Sequence, residues 1–382
     1  MLRPQNYAKG FYEINILLKA LMRNLFLNTV SIMLYFKNMF KLWNKCGSFE
    51  KTLIVKYGNL GDCYILIQQL RKLDEKYLIK TVEIAVSETY IPLLKSKFPK
   101  IRIHPLPDLR TQSLKRFFEC FSQLKKRNYK RLLLTGGSLS PLREDLLTVF
   151  LNAEENIRTY PDLSMGNRIT RHISDTFYNT QFYTSLKDER DIINEQLQSA
   201  FPNASWKDIG GLAKTKMYDS QTISIYPGAS NQLRQWTPDT LANVISLVLE
   251  THPNTKILVA GSKSEGPLYG ELLTKFADEK IKFKFDNINM LNLEHDISQA
   301  SLVIANDSAP LHIARYLGIN TIVYSGQGHV DRFIGTGEFK LKLLKCANCN
   351  WRCNLPMIKR KYACVGNLSR WENLSELKKL LG

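Results

Sequence analysis

From Lys51 onward the chain alternates between two rhythms of apolar and polar positions. Short, nearly unbroken apolar runs recur at Thr52–Lys56, Val82–Val86, Ile101–His104 and Arg131–Leu134. Between them lie longer stretches compatible with helices, among them Asp62–Lys76 and Leu114–Lys126. Short apolar runs read as buried strands, and a strand–helix series implies a parallel sheet with helices on both faces. Residues 150–220 are more polar and less periodic, with Pro161, Pro202 and the pair Gly210-Gly211. They read as a crossing between domains with some helices of its own. A second series then follows: strands at Thr222–Tyr226, Lys256–Ala260, Leu302–Ala305 and Thr321–Tyr324, and helices at Asp239–Glu250, Gly266–Phe276 and Pro310–Leu317. Two doubly wound α/β domains in tandem leave a cleft between the carboxyl ends of their strands, where open sheets bind ligands.

The first 44 residues break this pattern. Residues 11–43 are rich in Leu, Phe, Met and Ile, and six basic residues from Arg3 to Lys41 stand against the single acid Glu13. The longest uncharged run, Asn24 to Phe36, is too short for a spanning helix of about 20 residues, and no secretory cleavage site follows it. Such a segment suits a membrane interface with snorkelling lysines, or equally a helix packed on the body of the protein or a second subunit.

Composition sharpens the picture in one respect. A chain of 382 residues accommodates two domains, and 44% hydrophobic with 23% charged residues is ordinary for a globular protein. The charge is less ordinary, with 53 Lys and Arg against 35 acids and a net +18. That surplus suits an anionic partner, or simply a solvated basic surface. Nucleic acid is not the expected partner, because no zinc-finger spacing, basic zipper or RNA-binding sheet signature is present.

Three segments carry candidate chemistry. VKYGNLGD (Val55–Asp62) places a glycine-bearing turn and one carboxylate after a strand, without the GK[ST] of a P-loop or a GxGxxG fingerprint. SIYPGASNQLRQW (Ser224–Trp236) gives a Pro-Gly turn and then Arg234 and Trp236, ahead of Thr237-Pro238-Asp239. Those last three fit an N-cap, a first helical residue and a first-turn acid, but capping does not account for an arginine and a tryptophan aimed out of one loop. Arginine there suits phosphate oxygens. In LVIANDSAPLHIARYLG (Leu302–Gly318) a strand ends in Asn306-Asp307-Ser308-Ala309 and Pro310 opens a helix, whose N-terminus is a ready anion site. Asp307 suits either capping that helix or holding the loop.

In this order and spacing, the three segments resemble the bacterial glycosyltransferases of family 9, typified by heptosyltransferases of lipopolysaccharide core assembly. The resemblance runs from about Lys51 to the C-terminus. It implies a GT-B architecture, two Rossmann-like doubly wound domains facing a central cleft. The expected layout is a basic apolar helical extension at 1–46 and an acceptor domain at 47–210. A donor domain at 221–345 and a Cys-rich segment with a C-terminal helix at 346–382 complete it. By motif position Asp62 matches the general base, with Gly58, Asn59 and Gly61 in the acceptor-side loop. Gly228, Ser230, Arg234, Glu265, Asp307, Ser308, Ala309 and His312 match donor-binding positions, Glu265 at the ribose and Arg234 near the phosphates.

The implied reaction is an inverting transfer without a catalytic metal, from a nucleotide sugar of the ADP-heptose type to a lipid-linked or lipopolysaccharide glycan. An inverting displacement needs one carboxylate to take the acceptor proton, and a cation plus a helix N-terminus to hold the departing diphosphate. The chain departs from the family at Ala309, where glycine is usual, and at Ser325–His329. No motif is matched between Thr135 and Lys187. Two other readings stand beside this one, a protein-modifying heptosyltransferase and a non-catalytic nucleotide-sugar-binding scaffold. Retention of Asp62 speaks against the scaffold.

Of seven cysteines, Cys46, Cys63 and Cys120 sit among apolar neighbours and read as small buried hydrophobes. The odd total favours a reducing cytoplasm, with peripheral attachment to the inner membrane face as the accompanying expectation. Cys346, Cys349, Cys353 and Cys364 have spacing that fits a structural zinc or iron site, free thiols or disulfides. His312 and His329 suit phosphate ligation or acid catalysis, and His312 equally suits filling a polar pocket in the core. Trp236 and Trp351 read as packing residues.

Overall fold

The computed structural model describes residues 49–107, 114–136, 141–159, 174–182, 188–207, 222–286, 289–334, 345, 347–349, 363–366 and 368–382. The basic segment 1–46 expected at a membrane or subunit surface lies outside them, as do Cys346, Cys353 and Trp351. Among the described residues no helix is long and apolar enough to cross a membrane.

The first sheet begins with β1 (Phe49–Lys56), whose Leu53, Ile54 and Val55 are shielded on both faces. That near-continuous apolar run is the mark of a parallel strand covered by helices on each side. Then come α1 (Leu60–Leu70), α2 (Glu75–Thr81), β2 (Val82–Ser87), α3 (Ile91–Lys97), β3 (Arg102–Leu106), α4 (Leu114–Lys125), β4 (Tyr129–Thr135), α5 (Pro141–Leu151), β5 (Glu155–Thr159), β6 (Thr180–Phe182) and α6 (Glu189–Ala200). All strands are parallel, in the order β3-β2-β1-β4-β5-β6.

The second sheet is laid out alike. Its elements are β7 (Thr222–Tyr226), α7 (Pro238–Thr251), β8 (Lys256–Ser262), α8 (Gly270–Lys275), β9 (Ile281–Asp286), α9 (Met290–Ser298), β10 (Leu302–Ala305), α10 (Ala309–Leu317) and β11 (Asn320–Val323). The parallel order is β11-β10-β7-β8-β9. A short helix, α11 (Ala363–Gly366), and α12 (Trp371–Leu381) follow, and His252 at the end of α7 contacts the Leu381 carbonyl at 2.9 Å.

In both sheets the strand order reverses beside the first strand, between β1 and β4 and between β7 and β10. The loops after β1, β7 and β10 therefore open at switch points. One apolar cluster joins the domains, running from Tyr64, Leu66 and Leu70 of α1 to Leu311 and Ile313 of α10.

Three expectations are corrected. The helix expected over Asp62–Lys76 is two, because the Asp74 side chain accepts from the Tyr77 amide and caps a new start. The polar stretch 150–220 supplies β5, β6 and α6 to the first domain instead of only crossing between domains. β5 hides from the apolar pattern because it buries Arg158, whose guanidinium is satisfied by Ser174, Asp175 and Gln181. β9 and α9 are additions to the expected elements; β9, IKFKFD, alternates apolar residues with lysines and sits at the sheet edge.

Candidate active site

After β1 the chain turns through Gly58, at φ 141°, into α1 with Asn59 at the N-cap. Asp62 lies in the first turn, and its Oδ2 accepts from the Asn59 amide at 2.8 Å. A Cβ on Gly58 would stand 2.7 Å from that oxygen, so the turn demands glycine on both counts. Asp62 keeps about a fifth of its side chain exposed. Its Oδ1 lies 3.8 Å from Lys56 Nζ, a fully buried ammonium at the end of β1. On its other side Lys56 meets Glu189 Oε1 at 3.4 Å, and Glu189 Oε2 accepts from Arg332 Nε of the second domain at 3.2 Å. Burial alone would raise the Glu189 carboxyl, but Lys56 and Arg332 hold it below the usual range. Gly136, at φ 98°, makes room for the pair, since a Cβ there would fall 2.3 Å from Lys56 Nζ.

The second domain contributes three turns. After β7, Arg234 Nη2 donates to Ser230 Oγ at 3.0 Å. Thr237 caps α7 by accepting from the Thr240 amide, with Pro238 as the first helical residue. Trp236 corrects an expectation: it does not aim out of the loop but is wholly buried, donating to the Tyr324 carbonyl at 2.8 Å with its ring edge-on to Tyr324. The packing reading of this tryptophan holds.

After β8, Glu265 accepts from the Ser262 amide at 2.8 Å and from Gln235 Nε2 at 3.3 Å. Its carboxylate is wedged against Gly228 and Gly261, where a Cβ would fall 2.3 and 2.4 Å away. Burial pushes this carboxyl up. Glu265 thus ties the β7 and β8 turns together while facing the cleft.

After β10, Asn306 is fully buried and binds the turns to one another. It donates to the Arg234 carbonyl at 2.7 Å, and its Oδ1 accepts from the Asp307 amide and from Ser325 Oγ. Asp307 holds the loop instead of capping: Oδ2 lies 3.1 Å from His329 Nδ1 and 3.9 Å from Arg234 Nη1. Ser308 takes the N-cap position of α10 without a side-chain cap. Ser308 and Ala309 supply the leading amides of that helix, since Pro310 has no N–H and the Leu311 amide donates to the Ser308 carbonyl at 3.1 Å. His312, one turn on, is buried and has its pKa lowered to about 4, chiefly by burial and then by Arg315.

These turns meet at a single cleft of about 680 Å³. Gly61 and Asn59 line it beside Asp62 from the first domain. From the second, Gly228, Ser230, Arg234 and Glu265 line it, as do Asp307, Ser308, Ala309 and His312. Gly58 stands behind, supporting Asp62. Close approach is built in at Gly61, where a Cβ would fall 2.6 Å from His312 Cδ2.

Sequence reasoning missed Lys56, Glu189, Arg332, Asn306 and Gln235. Lys56 had a signal, a lysine directly after the buried run Leu53–Val55 of a central strand; Glu189 and Arg332 had none, being 133 and 143 residues from their partners. Of the cysteine cluster, Cys349 and Cys364 are described and half-buried, and no group of three or more metal-ligating side chains forms among the described residues.

No protein-family model matches the chain. Over 166 residues it is 26% identical to lipooligosaccharide heptosyltransferase 2 of Campylobacter jejuni, covering 41% of this chain. The match spans about half (51%) of that relative. The ADP-heptose lps heptosyltransferase II of E. coli superposes with a TM-score of 0.56 at 15% identity, covering 87% of this chain and 98% of that one. A glycosyl transferase of family 9 from Veillonella parvula gives a TM-score of 0.58 at 14% identity, with 88% and 99% covered. The likeness is to the family 9 heptosyltransferases. E. coli heptosyltransferase WaaC with ADP-2-deoxy-2-fluoro heptose follows at a TM-score of 0.54 and 13% identity, with 74% and 92% covered. At such identities the solved structures establish the fold, which is GT-B: two parallel-sheet α/β domains facing each other across the cleft just described.

Proposed function

We propose that the protein is an inverting, metal-independent glycosyltransferase of lipopolysaccharide synthesis, moving heptose from ADP-heptose to a lipopolysaccharide-core or related lipid-linked glycan. The observation that carries this reading is the division of labour across one cleft. The first domain presents a single carboxylate, Asp62, at a helix start. The second presents Arg234 and the N-terminus of α10, which together suit a diphosphate. In the reaction the acceptor hydroxyl oxygen bonds to the anomeric carbon as the sugar–phosphate C–O bond breaks. The bonding pair leaves with the nucleoside diphosphate, and the hydroxyl proton passes to Asp62. Lys56, 3.8 Å from Asp62, orients the carboxylate from behind.

Asp62→Asn tests the assignment. Donor binding should persist within a few-fold, while transfer falls by roughly 10²–10⁴, the usual worth of a positioned base. A variant that transfers as fast as wild type removes Asp62 from the role. A protein that binds ADP-heptose but transfers to neither glycan nor protein would be a nucleotide-sugar-binding scaffold. Failure to bind ADP-, UDP- or GDP-sugars would remove the whole reading.

A further inference from the structure

The loop after β11 departs from the family pattern, and it brings a histidine to the start of α10. His329 lines the cleft with about a fifth of its side chain exposed. Its Nδ1 stands 3.1 Å from Asp307 Oδ2, and its ring meets Phe333 edge-on at 5.0 Å, which fixes the ring plane. The loop itself is anchored, since the Asn348 amide donates to the Gln327 carbonyl at 2.8 Å. Burial alone would raise the Asp307 carboxyl, but the hydrogen bond and charge of His329, with Arg234, hold it at about 2. Near neutrality Asp307 is therefore a carboxylate that only accepts, so Nδ1 of His329 carries a proton.

Charge counting then singles out the ring. Arg234, 3.9 Å from the same Asp307 oxygen, cancels the carboxylate. With a neutral imidazole these three side chains sum to zero; with an imidazolium they sum to plus one. Beside them the α10 N-terminus, worth roughly half a charge, faces the about two negative charges of a sugar diphosphate. Other charged groups lie around His329. Arg332 and Asp331 are on its own turn, Arg332 bonded to Glu189 and the Asp331 carboxylate accepting from the Asn348 side-chain amide. His312 of α10 lies beyond Phe333, its pKa of about 4 leaving it neutral near pH 7. Guanidinium groups stay charged here, so the imidazole is the one group of the three able to add a positive charge.

We propose that His329 is the ionisable cation of the donor site: its imidazolium, oriented through Nδ1 by Asp307, pairs with the donor diphosphate, and donor binding draws a proton onto the ring. The inference rests on the nucleotide-sugar reading above. It makes His329 a binding residue for the diphosphate both in the donor and in the released nucleotide.

The test is titration calorimetry of ADP-heptose binding, without acceptor, between pH 6 and 8 in buffers of different ionisation heat. The sugar diphosphate has no terminal phosphate titrating in this range, whereas free ADP does, so protons taken up report on the protein. Wild type should take up a fraction of a proton and lose affinity as pH rises, by up to about tenfold per unit. His329→Gln should bind at the weak, alkaline wild-type level throughout and take up none. His329→Lys should bind tightly across the range without uptake, which also shows that the loop tolerates substitution. Equal proton uptake and equal pH dependence in wild type and His329→Gln overturn the inference while leaving the donor reading intact. Absence of ADP-heptose binding at every pH overturns both.

Discussion

His312 faces Gly61 across the domain boundary, buried on α10 with its ring 6.4 Å from that of Phe333. Burial, then Arg315, lowers its pKa to about 4 from an ordinary 6.5. The folded protein holds it neutral where the unfolded chain would take a proton, so between pH 6.5 and 4 stability falls as pH falls. The full effect is about 3 kcal/mol at about 1.4 kcal/mol per unit. Asp145 acts in the opposite sense. Burial raises its carboxyl to about 7 despite donors from Ser174 and Tyr178 and the nearby Arg158. Its contribution is present below the unfolded value near 4 and is lost as pH rises through 7. The two windows overlap, so the raw profile mixes them. Denaturant unfolding of wild type and His312→Gln at pH 4.5 and 7 separates them: the variant should lose most of the acid-side slope carried by His312. Identical slopes would mean that His312 is already protonated in the folded protein.

At the scale of elements, the decisive contact is α1 against α10. A methyl group on Gly61 would stand 2.6 Å from His312 Cδ2 and 3.5 Å from Ala309 Cα. Gly61→Ala should therefore push the helix starts apart, costing about 1–3 kcal/mol of overpacking and lowering kcat/KM by displacing Asp62. His312→Ala in the same chain removes the obstructing ring, and the double variant should recover much of the stability loss. Additive losses in that cycle would place the strain elsewhere. Much of this geometry is legible in the sequence because it is local. The Gly58 turn before Asp62 and the Thr237-Pro238 cap each depend on residues within a few positions of one another. The partnerships of Lys56 with Glu189, and of Glu189 with Arg332, depend on which loops the two sheets bring together, and spacing along the chain carries no trace of that. The inward direction of Trp236 escapes the sequence for a related reason. Its acceptor, the Tyr324 carbonyl, is 88 residues away.

Across the whole molecule, domain closure is also held by side chains outside the cleft lining. Tyr64 of α1 donates to Glu294 Oε2 at 2.7 Å, and Lys97 at the end of α3 bonds the other oxygen of the same carboxylate. Beside them Arg71 donates to the Tyr316 hydroxyl at 3.0 Å, and Arg71 and Lys97 each lie 5.3 Å from the Tyr316 ring centre. Glu294 and Tyr316 belong to the second domain and the other three side chains to the first. Burial, then the bond to Glu294, raises the Tyr64 phenol far above its ordinary range, so the hydroxyl remains a donor. Glu294→Ala leaves the buried Tyr64 and the half-buried Lys97 without this acceptor, a loss of about 1–3 kcal/mol. Each domain keeps its own sheet and helices, so the cost falls on the closed arrangement more than on folding. Hydrogen exchange should therefore speed up in α1 and α10 while the interior strands β1 and β7 stay protected. Turnover should fall with it, because Asp62 and the α10 N-terminus act together only when closed. Donor affinity should change little, since the donor-side turns all belong to the second domain. Exchange that rises equally in β1 and β7 would make Glu294 a folding residue, and unchanged exchange in α1 and α10 would remove it from closure.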